Sequence, residues 1–407
     1  MSLTVDKPMT TSSSRPSLLI LASTYPARVG DGTPSFVRDL AVGLTASFDP
    51  LVLIPAVPGG APEEHGDGIR VRRYRFFPRR WEDLAAGAIL ENVHARRSRL
   101  LQVPFFMAAQ FFAVRKAVRR EHPAVLHAHW IIPQGIVARF AARKVPLVVT
   151  TLGGDLYALG DPVSRALKRS VLRHARAVTV MNADMRERAI ALGANPDTTY
   201  VMPMGAQVAQ FADAAAGRPS RVADAGSPVR LLAVGRLVEK KGFHLLLQAL
   251  TPIDPATWQL TIVGDGPERA ALETAAAALP VEFVGQLTRD ALTRADAEAD
   301  VAVFPSVRAA SGDQDGLPVA LLEAMASGCA VIVSDLPGLD EAVVPGISGM
   351  SVPSGDVAAL SEALATIIGD AALRVSLGAG AALRAQSFDV AVVASAYAEV
   401  LKAAAAR

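Results

Sequence analysis

The sequence predicts an α/β protein made of two doubly wound parallel sheets that face each other across a cleft. Three observations carry this expectation. The chain has 407 residues, long for one such unit and comfortable for two of roughly 200. Short Val-, Ile- and Leu-rich runs alternate with helical segments throughout, the pattern of parallel strands covered by helices on both faces. Between the halves, residues 207–228 are rich in Ala, Gly, Asp and Ser with little periodicity, the character of a hinge.

The elements follow in order. Residues 1–17 are polar and Ser/Thr-rich and read as a frayed tail; the apolar run 18–22 is too short for a secretory signal and reads as the first strand. Further strands are expected near 51–55, 125–128, 147–151, 177–181 and 200–202, then near 229–234, 259–263, 281–284, 301–304 and 330–334. This divides the chain into an N-terminal unit (18–208), a linker (209–228), a C-terminal unit (229–385) and a last helix (386–407) expected to pack back on the first unit. In open parallel sheets ligands bind beyond the carboxyl ends of the strands, so the site is expected in the cleft between the units.

Composition narrows the class. The chain is 51% hydrophobic and 20% charged, without a run approaching the ~18 to 20 apolar residues of a spanning helix, so it is not expected to be an integral membrane protein. The single cysteine, Cys329, excludes an intramolecular disulfide, and the cytoplasm is the default compartment. A net charge of +2 hides an asymmetry: residues 1–215 hold 27 Lys and Arg against 17 Asp and Glu, and 69–120 alone hold 13 basic against three acidic residues. Phe76, Phe77, Trp81, Phe105, Phe106, Phe111 and Phe112 are interleaved with those arginines, which suits an anionic membrane surface. An ordinary amphipathic cap is the alternative. No recognised motif supports nucleic acid as the partner.

In the second half, a buried strand ending at Phe304 leads through a loop to a helix opening at Pro318, where the missing N–H is harmless. The free amides around Gly316 and Leu317 and the positive helix end suit a phosphate. Asp315 stands just before this helix and Glu323 inside it among apolar neighbours, so its carboxylate needs partners. Earlier, Gly235, Arg236, Lys241 and Gly242 follow a strand end, and two cations there would neutralise charge on a departing diphosphate. Gly264 and Gly266 make a tight turn after the next strand, and Gly285 follows the one after; the Gly-x-Gly-x-x-Gly fingerprint of dinucleotide binding is incomplete. Asp313 and Asp315 also form an Asp-x-Asp triplet able to chelate a metal, but the helix N-terminus offers phosphate a site without one. In the first half, Gly30 and Gly32 permit close backbone approach to a phosphate from the opposite wall. His127 and His129 point the same way at a strand end, with no third ligand for zinc. His129 is read as the cleft residue.

The run from Asp315 to Gly328, followed by Gly338 and Glu341, resembles the signature of glycosyltransferase family 4, retaining enzymes of the GT-B fold with two Rossmann-like domains. The resemblance spans essentially the whole chain and is strongest over 229–349. It implies transfer of a sugar from a nucleotide-diphosphate-sugar to a glycan or lipid-linked acceptor in surface polysaccharide or cell wall biosynthesis, with no cofactor and no metal. Asp315, where the family usually has Glu, would contact the donor sugar and Glu323 the ribose, Arg236 and Lys241 would act as electrophilic catalysts, the Gly264–Gly266 turn would let the backbone approach the nucleotide, and the loop 285–287 from Gly285 would wall the base pocket. Gly153, Gly154 and Asp155 fit the family's loop, but Leu152 stands where a histidine usually contacts the sugar; either Asp155 or His129 would then supply that contact, or the donor sugar differs. A non-transferring GT-B enzyme such as a sugar-nucleotide epimerase is the alternative, and a nicotinamide-dependent dehydrogenase is disfavoured.

Overall fold

Near-continuous apolar runs build both sheets, because strands covered by helices on two faces have no side left for water. The computed structural model describes residues 15–28, 33–85, 89, 92–93, 96–216, 227–310 and 312–406. The first sheet contains β1 (Ser17–Leu21), β2 (Asp49–Pro55), β3 (Glu63–Gly66), β4 (Ile69–Tyr74), β5 (Val125–His129), β6 (Leu147–Thr150), β7 (Ala177–Val180) and β8 (Thr199–Val201). Their order is β3-β4-β2-β1-β5-β6-β7-β8, parallel except where β3 runs against β4. The second contains β9 (Val229–Val234), β10 (Trp258–Val263), β11 (Val281–Gly285), β12 (Val301–Phe304), β13 (Ala330–Ser334) and β14 (Met350–Val352), in the order β11-β10-β9-β12-β13-β14. In each sheet the winding reverses beside the first strand, at β1 and at β9, which opens a crevice at the carboxyl ends there.

Three strands lie outside the expected set: β3, β4 and β14. The run expected as a basic surface begins as β4, because Ile69 and Val71 alternate with arginines and bury on one face. Its charges are internally matched. Arg70 pairs with Asp49 at 2.9 Å and Glu121 at 2.7 Å, Arg72 with Glu63, Arg73 with Glu64, and Arg75 with Glu82. Acids distant in sequence therefore cancel much of an excess that was counted locally. The surface that remains exposed includes a stripe on helix Val103–Glu121 and the turn before it, formed by Leu101, Phe105, Phe112, Arg115 and Arg119.

The last helix, Val390–Ala406, leaves the second unit and contributes Val393, Ala394, Tyr397, Ala398 and Leu401 to the core of the first. The Tyr397 hydroxyl donates to the Met202 carbonyl at 2.9 Å. The two crossings between units run side by side, with Ala206 N–H donating to Phe388 O and Val390 N–H to Ala206 O. Of the stretch expected as linker, Val208–Ala216 is a helix whose Val208 and Phe211 join the second unit's core, and residues 217–226 lie outside the described residues. Among the described residues no single helix is long and apolar enough to cross a membrane.

Candidate active site

The loop after β9 turns sharply at Gly242, which lies in the left-handed region with φ +64°; a Cβ there would sit 2.0 Å from the Pro305 carbonyl oxygen. That contact presses the turn Glu239–Lys241 against the loop after β12, and Val307 N–H donates to Lys240 O at 2.8 Å. Two lysines thus meet two carboxylates about seventy residues away. Lys241 Nζ donates to Asp315 at 2.7 Å, Ser306 Oγ donates to the same oxygen at 2.9 Å, and Lys240 reaches Asp313 at 2.9 Å and Asp315 at 3.6 Å. Burial by itself would raise the Asp315 pKa, but the fields of Lys241 and Lys240 and the bonds from Lys241 and Ser306 bring it down to about 2. Burial works against the Lys240 ammonium, yet Asp315 and Asp313 leave its pKa raised. Arg236 stands nearby; burial lowers its pKa and the field of Asp313 opposes this. Both acids of the Asp-x-Asp triplet are therefore engaged by ammonium groups.

Gly264 has φ +135°, and a Cβ on it would lie 1.8 Å from the Gly235 carbonyl oxygen; a Cβ on Gly266 would lie 2.3 Å from Leu237 O. These two glycines let the ends of β9 and β10 touch backbone to backbone, a packing requirement independent of any ligand. Gly285 has φ +72° at the end of β11 and accepts from Gly264 N–H at 2.8 Å.

Glu323 lies on helix Val319–Ala326, which Pro318 precedes as N-cap, and is 4% exposed. Its partner is Arg289, at 2.8 Å. Burial raises the Glu323 pKa and Arg289 opposes that rise. The same guanidinium donates to Ser35 Oγ at 3.3 Å and stands 3.9 Å from Asp39, both in the first unit. Arg289 thus joins the two halves across the cleft.

A second tie lies close by. Asn182, fully buried, accepts from Met185 N–H as a helix cap, while its amide donates to Gly316 O at 3.3 Å and Pro337 O at 2.9 Å. Ala183 N–H donates to Glu341 at 2.7 Å. Gly316 packs against Met181 and Met185, and Leu317 touches the cores of both units.

The remaining first-unit candidates are buried. His129 has no exposed surface and neither ring nitrogen has a hydrogen-bond partner; it lies against His127, whose Nε2 is 2.6 Å from Thr150 Oγ1. Burial drives the His127 pKa down to about 3 and that of His129 well below its usual range, where His127 adds to the effect. Asp155 accepts from Ile131 N–H, Thr151 Oγ1 and Leu152 N–H, all in its own neighbourhood, and burial raises its pKa. Gly153 abuts the Gln314 carbonyl of the other unit. Gly30 and Gly32 lie outside the described residues.

The structure therefore gathers Arg236, Lys241 and Asp315 at the carboxyl ends of β9 and β12, with Glu323 on the next helix. It adds Lys240, Ser306, Arg289 and Asn182, which the sequence reading did not single out. Lys240 was adjacent to a chosen residue and accessible to inspection. The roles of Arg289 and Asn182 depend on partners in the other half, and nothing local marks them. Chemically, three cations beside a helix N-terminus can hold a pyrophosphate and take up negative charge as an ester bond to it breaks.

Comparison with known proteins places the family and the fold. Residues 228–370 match the family model described as glycosyl transferases group 1, and residues 31–205 match the glycosyl transferase 4-like domain. The chain is similar to the D-inositol 3-phosphate glycosyltransferase of Geodermatophilus obscurus, 32% identical over 69% of this chain and 68% of that one. It is also similar to the amylovoran biosynthesis glycosyltransferase AmsK of Erwinia amylovora, 34% identical, although the match spans only 44% of either protein. Among solved structures, sucrose-phosphate synthase from Thermosynechococcus elongatus superposes with a TM-score of 0.77 at 22% identity, covering 96% of this chain and 99% of that one.

Proposed function

Because this chain belongs to the glycosyl transferases group 1 family, we propose that it moves a sugar, with retention of anomeric configuration, from a nucleotide-diphosphate-sugar onto a glycan or lipid-linked acceptor. The observation that carries the donor class is the cluster of Lys241, Lys240, Ser306 and Asp315 beside Arg236, far apart along the chain and joined at two strand ends. In this reading the cations and the amides of Gly316 and Leu317 hold the diphosphate, and the ionised Asp315 accepts from a sugar hydroxyl. Glu323 accepts from the ribose once Arg289 has turned to the ligand. Charge growing on the leaving diphosphate is met by groups already in place, and the acceptor enters on the face the phosphate leaves. Catalysis by position and charge needs no protein base, which suits a site whose histidines are buried and held neutral.

The relative named for amylovoran biosynthesis supports an acceptor in surface polysaccharide assembly. The exposed stripe of Leu101, Phe105, Phe112, Arg115 and Arg119 supports peripheral contact with anionic lipid at the inner face of the cell membrane. A sugar-nucleotide epimerase would use the same fold but release no acceptor-linked product, and neither relative named above is of that kind. The test is a thermal-shift panel of UDP, GDP, ADP and NAD, followed by NMR of the product's anomeric proton with the donor that binds. A stabilising nucleoside diphosphate and retained configuration are expected; stabilisation by NAD alone, or an inverted product, overturns the reading.

A further inference from the structure

The first unit carries a basic recess away from the cleft. Between helices Ile136–Ala141 and Pro162–His174, a cavity of about 410 Å³ is lined by Arg139, Ala166, Arg169, Ser170, Arg173 and His174. Arg169 and Arg173 stand one helical turn apart on one face. Burial lowers the His174 pKa, and the fields of Arg139, Arg176 and Arg143 lower it further, so the charge of two arginines outside the lining, Arg143 and Arg176, also reaches this imidazole. Among the described residues no carboxylate pairs with Arg139, Arg143, Arg169, Arg173 or Arg176, and Arg139 Nε is buried without an acceptor. The contrast with β4 is instructive, since the arginines there each have an acid in contact. A helix carboxyl end favours a cation in its last turn, which accounts for Arg173 or His174 but not for five arginines on three segments.

Arg143 precedes β6 and Arg176 precedes β7, so the recess lies at the amino ends of the strands, a sheet's length from the candidate active site. It therefore serves neither as donor pocket nor as part of the cleft. We propose that this recess is a second, non-catalytic anion site for a compact ligand bearing a phosphomonoester or diphosphate. Its volume falls in the range of small-ligand pockets, and guanidinium forks match phosphate oxygens in pairs. The inference stands independently of the transferase reading. The helix that lines the recess also reaches the cleft: buried Lys168, one residue before Arg169, donates to Leu156 O at 3.0 Å and to Ala158 O, in the loop beside Gly153 and the Gln314 carbonyl. Binding in the recess thus has a short mechanical route to the domain boundary.

The test uses the full chain and inorganic pyrophosphate, titrated by calorimetry at low salt against wild type and two variants. Arg236→Gln with Lys240→Gln and Lys241→Gln removes the three cleft cations; Arg169→Gln with Arg173→Gln removes recess cations that have no internal partner to lose, and circular dichroism checks that each variant is folded. Pyrophosphate binding should survive the first variant and weaken about tenfold or more, at the recess component, in the second. Vesicles containing phosphatidic acid form a parallel arm: competition with pyrophosphate at the recess identifies a lipid headgroup as the source of the phosphate, and lack of competition a free phosphorylated solute. The proposal falls if the cleft variant abolishes all pyrophosphate binding, or if the recess variant binds as wild type does. Failure of the donor reading would instead leave recess binding intact while the nucleotide panel showed no response.

Discussion

Asp315 and the two lysines around it show what a few ångströms decide. A carboxylate 9% exposed should resist ionisation, yet Lys241 at 2.7 Å and Lys240 at 3.6 Å keep it charged throughout the physiological range. Replacing Lys241 by Met is expected to lower kcat by about 10² to 10³ with a smaller effect on KM, because the lost interaction is strongest when the diphosphate departs; a single-turnover assay with the identified donor checks it. The buried histidines make a different prediction, on stability. Unfolded, each binds a proton near pH 6.5; folded, His127 does so only near pH 3, with His129 also far depressed. Between those values the unfolded state binds more protons, so stability is full above pH 6.5 and falls as pH drops toward 3, by up to about 1.4 kcal/mol per pH unit for each histidine. Urea midpoints at pH 7 and pH 5 should differ accordingly, and His129→Phe should flatten the slope. Sequence alternation placed these two rings on the same side, and they do lie in contact, tilted, with centroids 4.3 Å apart. Their burial was not legible, because it depends on distant residues such as Tyr397 of the last helix, whose ring lies against His127.

At the level of elements, strand ends and glycines do most of the positioning. The contacts show Gly264 and Gly266 serving the sheet, since their missing Cβ atoms make room for the carbonyls of Gly235 and Leu237. Gly264→Ala is therefore expected to destabilise the protein by about 2 to 4 kcal/mol, through both the positive φ and the overlap, even without any ligand; denaturant unfolding of the unliganded protein measures it. A variant of unchanged stability but weakened nucleotide binding would assign the glycine to the ligand instead. The hydrophobic runs revealed the eleven expected strands because two-sided burial leaves a strong, local signature. β4 escaped because its solvent side is arginine, and a charged alternating strand looks like a basic surface until Glu121, Glu63 and Glu64 are brought beside it.

For the whole molecule, the decisive contacts are those between halves. Asn182 caps its own helix with its carbonyl and grips the other unit with its amide, so the two roles can be separated. Asn182→Asp keeps the capping acceptor but sets a carboxylate against the Gly316 and Pro337 carbonyls. The expected result is near-native stability, a donor KM raised about fivefold or more, and a larger radius of gyration by small-angle scattering. A variant with native scattering and KM would remove Asn182 from any part in closure. Arg289 belongs to the same layer, bound at once to Glu323, to Ser35 and near Asp39, so that the ribose-side carboxylate and the first unit's helix Phe36–Gly43 share one cation.

By itself the sequence determined the two-sheet architecture and singled out Arg236, Lys241, Asp315 and Glu323 as the candidate site. These are written in local hydrophobic runs, in glycine and proline placement, and in residue types whose spacing survives without coordinates. Only the tertiary structure decided which charges are free and which are spent on one another, that Glu323 rests on Arg289, and that an unmatched cluster of arginines lies behind the first sheet. The physical reason is that electrostatic energy depends on distance in space, and residues that meet at 3 Å here are separated by 34, 74 or 134 positions along the chain.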